Sequence, residues 1–173
     1  MMKNKSVINL VPFDEKERFL DEWYIDASYY GGMVGYYPIH GYDILLDTTM
    51  QIWDFIKHYF DREMKRMKVE KCQFPLIVGD GSSDKDILRK SMYPYFCQKV
   101  RFAKVLPLKF NQWYNAVTTT SELTNPIPFL RTREFLSQQG HSAFATREEA
   151  YAEVLHVLDI YRKIYETFWP SRF

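Results

Sequence analysis

A proline stands in the middle of the β-rich run CQFPLIV (Cys72–Val78), and it limits what the chain can build more than any other residue. Proline has no N–H to give a strand ladder, so the run is an edge strand or one that meets something other than a neighbouring strand. A long helical pattern precedes it. Asp47, Thr48 and Thr49 are candidate N-caps, and Ile52, Phe55, Ile56, Tyr59 and Met67 recur as a buried stripe. Lys57, Arg62, Lys65 and Arg66 lie mostly off that stripe.

The remaining segments follow the same mixed pattern. Phe19, Leu20, Trp23, Tyr24 and Ala27 have helical spacing, ended by Gly31-Gly32. GYYPIHGYDILL reads as a turn leading into a short strand, and Ile87–Val105 as helix on both sides of Pro94. Leu106–Val117 (LPLKFNQWYNAV) is a strand, TTTSELTNPIP a long loop, and Phe129–Ala145 one or two further strands. Thr146 and Glu149 form a capping box that opens the last helix. Its apolar face is expected from Ala150, Val154, Leu155, Leu158, Tyr161, Tyr165 and Phe168. Helices mixed with separated strands, without regular βαβ alternation, predict an α+β domain with a mostly antiparallel sheet flanked by helices.

Composition narrows the function classes. Lys+Arg 23 against Asp+Glu 22 gives no basic field for DNA or other nucleic acid to bind non-specifically, although local patches are not excluded by net charge. Aromatic residues make up 17% of the chain, which points to a thick core, an interface, or both. Cys72 and Cys97 make neither a disulfide framework nor a zinc spacing, and His40, His58 and His156 make no ligand set, so no metal is expected. With no signal peptide and no apolar run of about 18 residues, no membrane association is expected and the compartment reads as cytoplasmic.

Three segments, IWDFIKHYFDREMKRMKVEKCQFPLIV, LPLKFNQWYNAV and PFLRTREFLSQQGHSAFATREEA, together resemble the catalytic core of the prolyl-tRNA synthetases of eukaryotic and archaeal type, class II aminoacyl-tRNA synthetases. FLDEWY…GYYPIHGYDILL is similar to that core's opening helix and first strand, so the resemblance runs from about Phe19 to Phe168. It implies ATP-dependent activation of proline and transfer to tRNA, on an antiparallel sheet flanked by helices, in a dimer. The dimer interface implied by the first signature falls on Ile52, Phe55, Tyr59, Phe74 and Pro75. The loop facing ATP and the tRNA acceptor end falls on Arg131, Arg133 and Glu134, and the adenylate-facing strand on Gln139, Gly140 and His141.

The chain departs from that pattern where the chemistry lies. The Thr-x-Glu that holds the proline imino group falls on Ile87-Leu88-Arg89, so a carboxylate has become an arginine. Like charge now faces the cationic amine, at a cost of roughly a few kcal/mol. The Arg-x-Glu that grips the ATP α-phosphate falls on Thr118 and Thr120, and a hydroxyl cannot replace a bidentate guanidinium. Glu122 could stand in for the glutamate, but no arginine is available. The third signature and the anticodon-binding domain fall beyond Phe173, so residues 1–173 are expected to form a single partial class II synthetase-like domain.

The implied reading is a catalytically incomplete paralogue acting as a binding, regulatory or dimerisation protein, with no confident catalytic residue. It would form a homodimer or pair with a full-length synthetase relative. The alternatives are an active proline–tRNA ligase or its N-terminal part, with ATP and Mg²⁺ as cofactors, and a tRNA acceptor-binding module using Arg131 and Arg133. Each site residue also has a plainer reading: the Arg131–Glu134 charges as a solvated surface loop, and His141 as a satisfied structural histidine.

Overall fold

The structure, a computed structural model, describes residues 10–75, 87–103, 105–117 and 125–168, the side chains of 87–91 and 102–103 excepted. It divides into two compact units, residues 1–51 with 122–133 and residues 52–121 with 134–173.

In the second unit a three-stranded sheet has the order β3 (Glu70–Lys71), β4 (Leu108–Val117), β5 (Glu134–Ala143). β3 runs parallel to β4, and β4 runs antiparallel to β5 in an unbroken register from Leu108↔Ala143 to Val117↔Glu134. Opposed residues share a face, so strand alternation separates two surfaces. Leu108, Phe110, Gln112, Tyr114 and Ala116 lie on one, with Phe135, Ser137, Gln139, His141 and Ala143; Lys109, Asn111, Trp113 and Asn115 lie on the other.

The first surface packs Phe110 and Leu108 against Phe96 of α3 (Ile87–Ala103), with Phe74 and Tyr95 beside them. The opposite surface packs Trp113 against Phe60, Met64 and Met67 of α2 (Asp47–Arg66) and Ile160 of α4 (Arg147–Phe168). Phe60 stacks on Tyr161 at 5.4 Å and meets the Trp113 ring edge to face at 5.7 Å. Burial of each such side chain contributes about 1.5–3 kcal/mol.

Two helix faces differ from the sequence expectation. The inner face of α2 is Phe60, Met64 and Met67, whereas Ile52 and Phe55 are exposed. The inner face of α4 is Val157, Ile160 and Ile164, while Val154, Leu155, Leu158, Tyr161 and Tyr165 are exposed. The reason is that α4 carries two apolar stripes, and spacing alone cannot say which meets the core. The capping box is present: Glu149 N–H donates to Thr146 Oγ1 and Thr146 N–H to Glu149 Oε2, both at 3.3 Å.

Pro75 acts as its chemistry dictates. The regular ladder stops at Lys71, Cys72 N–H gives one more bond to the Asn111 carbonyl, and Phe74 N–H donates to the Gln112 side-chain oxygen at 2.7 Å. The expected strand Cys72–Val78 is therefore not a regular strand over Cys72–Pro75, where a glutamine side chain replaces the ladder partner; residues 76–78 lie outside the described residues.

In the first unit, α1 (Leu20–Tyr30) precedes a two-stranded antiparallel pair, β1 (Val34–Tyr36) and β2 (Asp43–Leu45). β1 was hidden in a Gly-rich stretch that reads as turn. Thr49 does not cap α2 but donates its hydroxyl to the Met33 carbonyl at 2.6 Å, from inside the helix.

Candidate functional site

The sequence-marked residues fall into three places. Arg131 and Arg133 belong to the first unit. Residues 127–131 close a tight turn there, with paired bonds between the Ile127 and Arg131 backbones and Phe129 at φ 62°. Tyr24 anchors that turn by donating its hydroxyl to the Pro128 carbonyl at 3.0 Å. Arg133 is built into the fold: its N–H donates to the Gly41 carbonyl at 2.7 Å and its Nε to the His40 carbonyl at 3.2 Å. Gly41 sits at φ +86°, and a Cβ there would meet the Arg133 stem at 2.9 Å, so glycine is required both by conformation and by the close approach.

Glu134, Gln139 and His141 belong to β5 but do not face the same way. Glu134 shares a face with Asn115, whose amide donates to it at 3.1 Å. Gln139 and His141 lie on the opposite, α3-facing surface, because strand side chains alternate. There Tyr114 donates its hydroxyl to Gln139 Oε1 at 3.3 Å, and the Tyr93 ring of α3 meets the His141 ring edge to face at 5.7 Å.

Gln112 is the residue that sequence reasoning passed over. It is fully buried, its Oε1 is held by Phe74 N–H, and its Nε2 has no acceptor among the described residues. An uncompensated buried amide donor costs about 1–3 kcal/mol, so it marks a special position. The signal was available: Leu108, Phe110 and Gln112 alternate onto a buried face, and the third is polar. Together Gln112, Tyr114, Gln139 and His141 make a row of hydrogen-bonding side chains on one sheet face, suited to orienting a polar ligand.

Ile87 and Arg89 lie in the first turn of α3, but their side chains are outside the described residues, as are Thr118 and Thr120. Of the residues marked for dimerisation, Ile52, Phe55 and Pro75 are exposed, whereas Phe74 packs inward on Tyr95 and Phe110 at 5.6 and 6.2 Å. Tyr59 is half-buried and, like Phe55, rests edge to face on Phe168. Among the described residues no three His, Cys, Asp or Glu side chains converge as metal ligands, and no helix is long and apolar enough to cross a membrane.

Comparison with known proteins bears on this arrangement directly. The chain is 39% identical over 184 residues to the cytoplasmic proline–tRNA ligase of Arabidopsis thaliana, covering 89% of this chain and 34% of that protein. It is 36% identical over 180 residues to a putative proline–tRNA ligase of Schizosaccharomyces pombe. The crystal structure of the Cryptosporidium parvum prolyl-tRNA synthetase complexed with L-proline and AMP superposes with a TM-score of 0.77 at 33% identity, over 87% of this chain and 36% of that one. This chain is a prolyl-tRNA synthetase relative. Its fold is that of the class II synthetase core, α+β, and it spans about a third of the length of the Arabidopsis synthetase and of the Cryptosporidium chain. No family model matches the chain.

Proposed function

We propose that this chain is a catalytically incomplete member of the prolyl-tRNA synthetase group, acting in the cytoplasm as a binding or regulatory protein and not as a ligase. The observation that carries this reading is the pair Thr118 and Thr120 directly after β4, where the resemblance implies Arg-x-Glu. Adenylate formation builds charge on the α-phosphate, and a fixed guanidinium answers it where a hydroxyl cannot. The substitution of Thr-x-Glu by Ile87-x-Arg89 points the same way. Arg133 adds support, since its Nε and backbone N–H are bound to carbonyls of its own unit.

Self-association, or pairing with a full-length synthetase, would use the exposed Ile52, Phe55 and Pro75, and Pro75→Arg is expected to break it. The competing reading is an active proline–tRNA ligase binding ATP with Mg²⁺. It is favoured by one specific fact, that the similar proteins are named as such ligases. The row of Gln112, Tyr114, Gln139 and His141 would then contact amino acid or adenine by hydrogen bonds, leaving phosphate to groups outside the described residues. A tRNA acceptor-binding role would instead show affinity falling steeply with salt.

The deciding experiment is thermal unfolding with a non-hydrolysable prolyl-adenylate analogue. A ligand at a hundred times its dissociation constant adds about 2.7 kcal/mol, which at about 2–4 °C per kcal/mol is readily seen. No shift is expected. A rise in Tm, followed by ATP–pyrophosphate exchange that Arg131→Ala abolishes, would overturn the proposal in favour of the ligase.

A further inference from the structure

Asn111 is an exception to the apolar packing of the sheet face that meets α2 and α4. It is 2% exposed, and a relay of hydrogen bonds fixes its orientation. Tyr161 of α4 donates its hydroxyl to Gln138 Oε1 at 2.6 Å, and Gln138 Nε2 donates in turn to Asn111 Oδ1. The Asn111 carbonyl is taken by Cys72 N–H. One group is left over: no described residue accepts from Asn111 Nδ2. A buried amide donor is normally paired, so an unpaired one marks a position with another use. The Gln112 amide is sealed off, whereas Asn111 opens into a cleft of about 310 Å³.

That cleft lies within the second unit, lined by Asp61, Met64 and Lys65 of α2, Val69, Lys71 of β3, and Asn111. Helical spacing sets the first three on one flank, and the parallel register Lys71↔Asn111 sets those two on one sheet face. The end of α2 between them is closed on itself: Val69 N–H donates to the Met64 carbonyl at 2.9 Å and Lys68 N–H to that of Lys65 at 3.0 Å, with Lys68 at φ 58°. Both Asp61 oxygens are engaged, one by the Trp113 indole N–H at 2.7 Å and the other by Lys71 at 3.1 Å. Lys65 has no ion partner among the described residues. A ligand therefore meets donors: the Asn111 amide at the floor and two ammonium groups at the mouth, against one carboxylate already paired. Met64, 5% exposed, and half-buried Val69 are the apolar walls.

We propose that this cleft binds a small organic carboxylate, its head on Asn111 Nδ2 and the Lys65 ammonium and its apolar body against Met64 and Val69. The volume equals that of about ten waters at ~30 Å³ each, which is at the lower end for small-molecule sites. Every lining residue lies between positions 61 and 111, on a helix, a turn and two paired strands. None belongs to the row on the opposite sheet face, nor to the exposed Ile52, Phe55 and Pro75, so this site stands or falls apart from the function proposed above.

The test is a nuclear magnetic resonance titration of the isotope-labelled 173-residue chain with sodium benzoate at constant ionic strength. Saturable shifts are expected at the Asn111 side-chain amide and at the Lys65 and Val69 backbone amides. Benzamide, the same body without the charge, should bind about tenfold more weakly, and inorganic phosphate, charge without the body, more weakly too. Lys65→Gln, an exposed change, should weaken benzoate about threefold. Asn111→Asp keeps the acceptor for Gln138 but turns an oxygen into the cleft, and should weaken it about tenfold. Should Asn111→Asp fail to fold, Lys65→Gln carries the test. Shifts that never saturate, or that saturate at amides outside the cleft, overturn the proposal. So does equal binding of benzamide or phosphate, or a benzoate affinity that Lys65→Gln leaves unchanged. A glutamate-rich peptide that displaces benzoate at lower concentration would assign the cleft to a protein partner and equally overturn it.

Discussion

The two faces of the β4–β5 pair are built to different ends. On the α2 and α4 side, Trp113, Phe60, Met64, Met67 and Ile160 interlock, and the indole N–H of Trp113 is satisfied by Asp61 at 2.7 Å. The half-buried Lys109 and Glu153 meet there at 2.7 Å. On the α3 side the apolar packing of Leu108 and Phe110 gives way along the strand to Gln112, Tyr114, Gln139 and His141, with one amide donor left unmatched. One face stores stability, and the other keeps hydrogen-bonding capacity that stability does not require.

That contrast can be broken by substitution. Phe60→Ala should have the largest effect, about 3–5 kcal/mol in urea unfolding, since it empties the centre of the stacked aromatic group. Lys109→Met should cost about 3 kcal/mol by stranding Glu153, whereas Lys109→Met with Glu153→Leu should recover most of it, because two apolar groups strand nothing. A double variant no better than the single one would mean the pair itself stabilises. On the other face Gln112→Leu should cost only about 1 kcal/mol: it leaves Phe74 N–H without its acceptor but removes an unmatched donor. A loss as large as that of Phe60→Ala would erase the distinction between the faces.

The smallest effect concerns Cys72. Burial, and then the Glu70 charge, push its thiol up to about 11. The thiolate is the reactive form, so below that pH Cys72 stays protonated and slow. Exposed Cys97 should take up iodoacetamide at pH 8 while Cys72 remains unlabelled, its rate rising only as the pH approaches 11. Equal labelling of both at pH 8 would mean that the sheet margin around Cys72 opens readily.

How far the sequence was legible follows from what kind of signal each element carries. The capping box at Thr146 and Glu149, the strand expected over Leu106–Val117 and the helix expected over Ile87–Val105 rest on local chemistry; the box is present, the strand begins at Leu108 and the helix ends at Ala103. The consequence of Pro75 was legible too, although Gln112 as the group that answers Phe74 N–H was not, because it lies 38 residues away. The inner face of α2 holds as expected at Tyr59 and Met67 but not at Ile52 and Phe55, and that of α4 differs for the same reason: where apolar residues cover much of a helix, periodicity names candidates and only the neighbours choose. Glu134, placed by the resemblance in the loop with Arg131 and Arg133, is the first residue of β5, on the face opposite Gln139 and His141. Arg133 is marked by the resemblance of its loop, whereas its place is decided by a glycine turn 92 residues earlier.

The meeting of Trp53 and Trp113, 5.0 Å apart and nearly perpendicular, has an optical consequence. Both indoles belong to the second unit, and Trp23 to the first. The paired chromophores should give the second unit a near-ultraviolet dichroic signal of its own. The melting of the second unit can thus be followed in the unmodified protein by its near-ultraviolet dichroism.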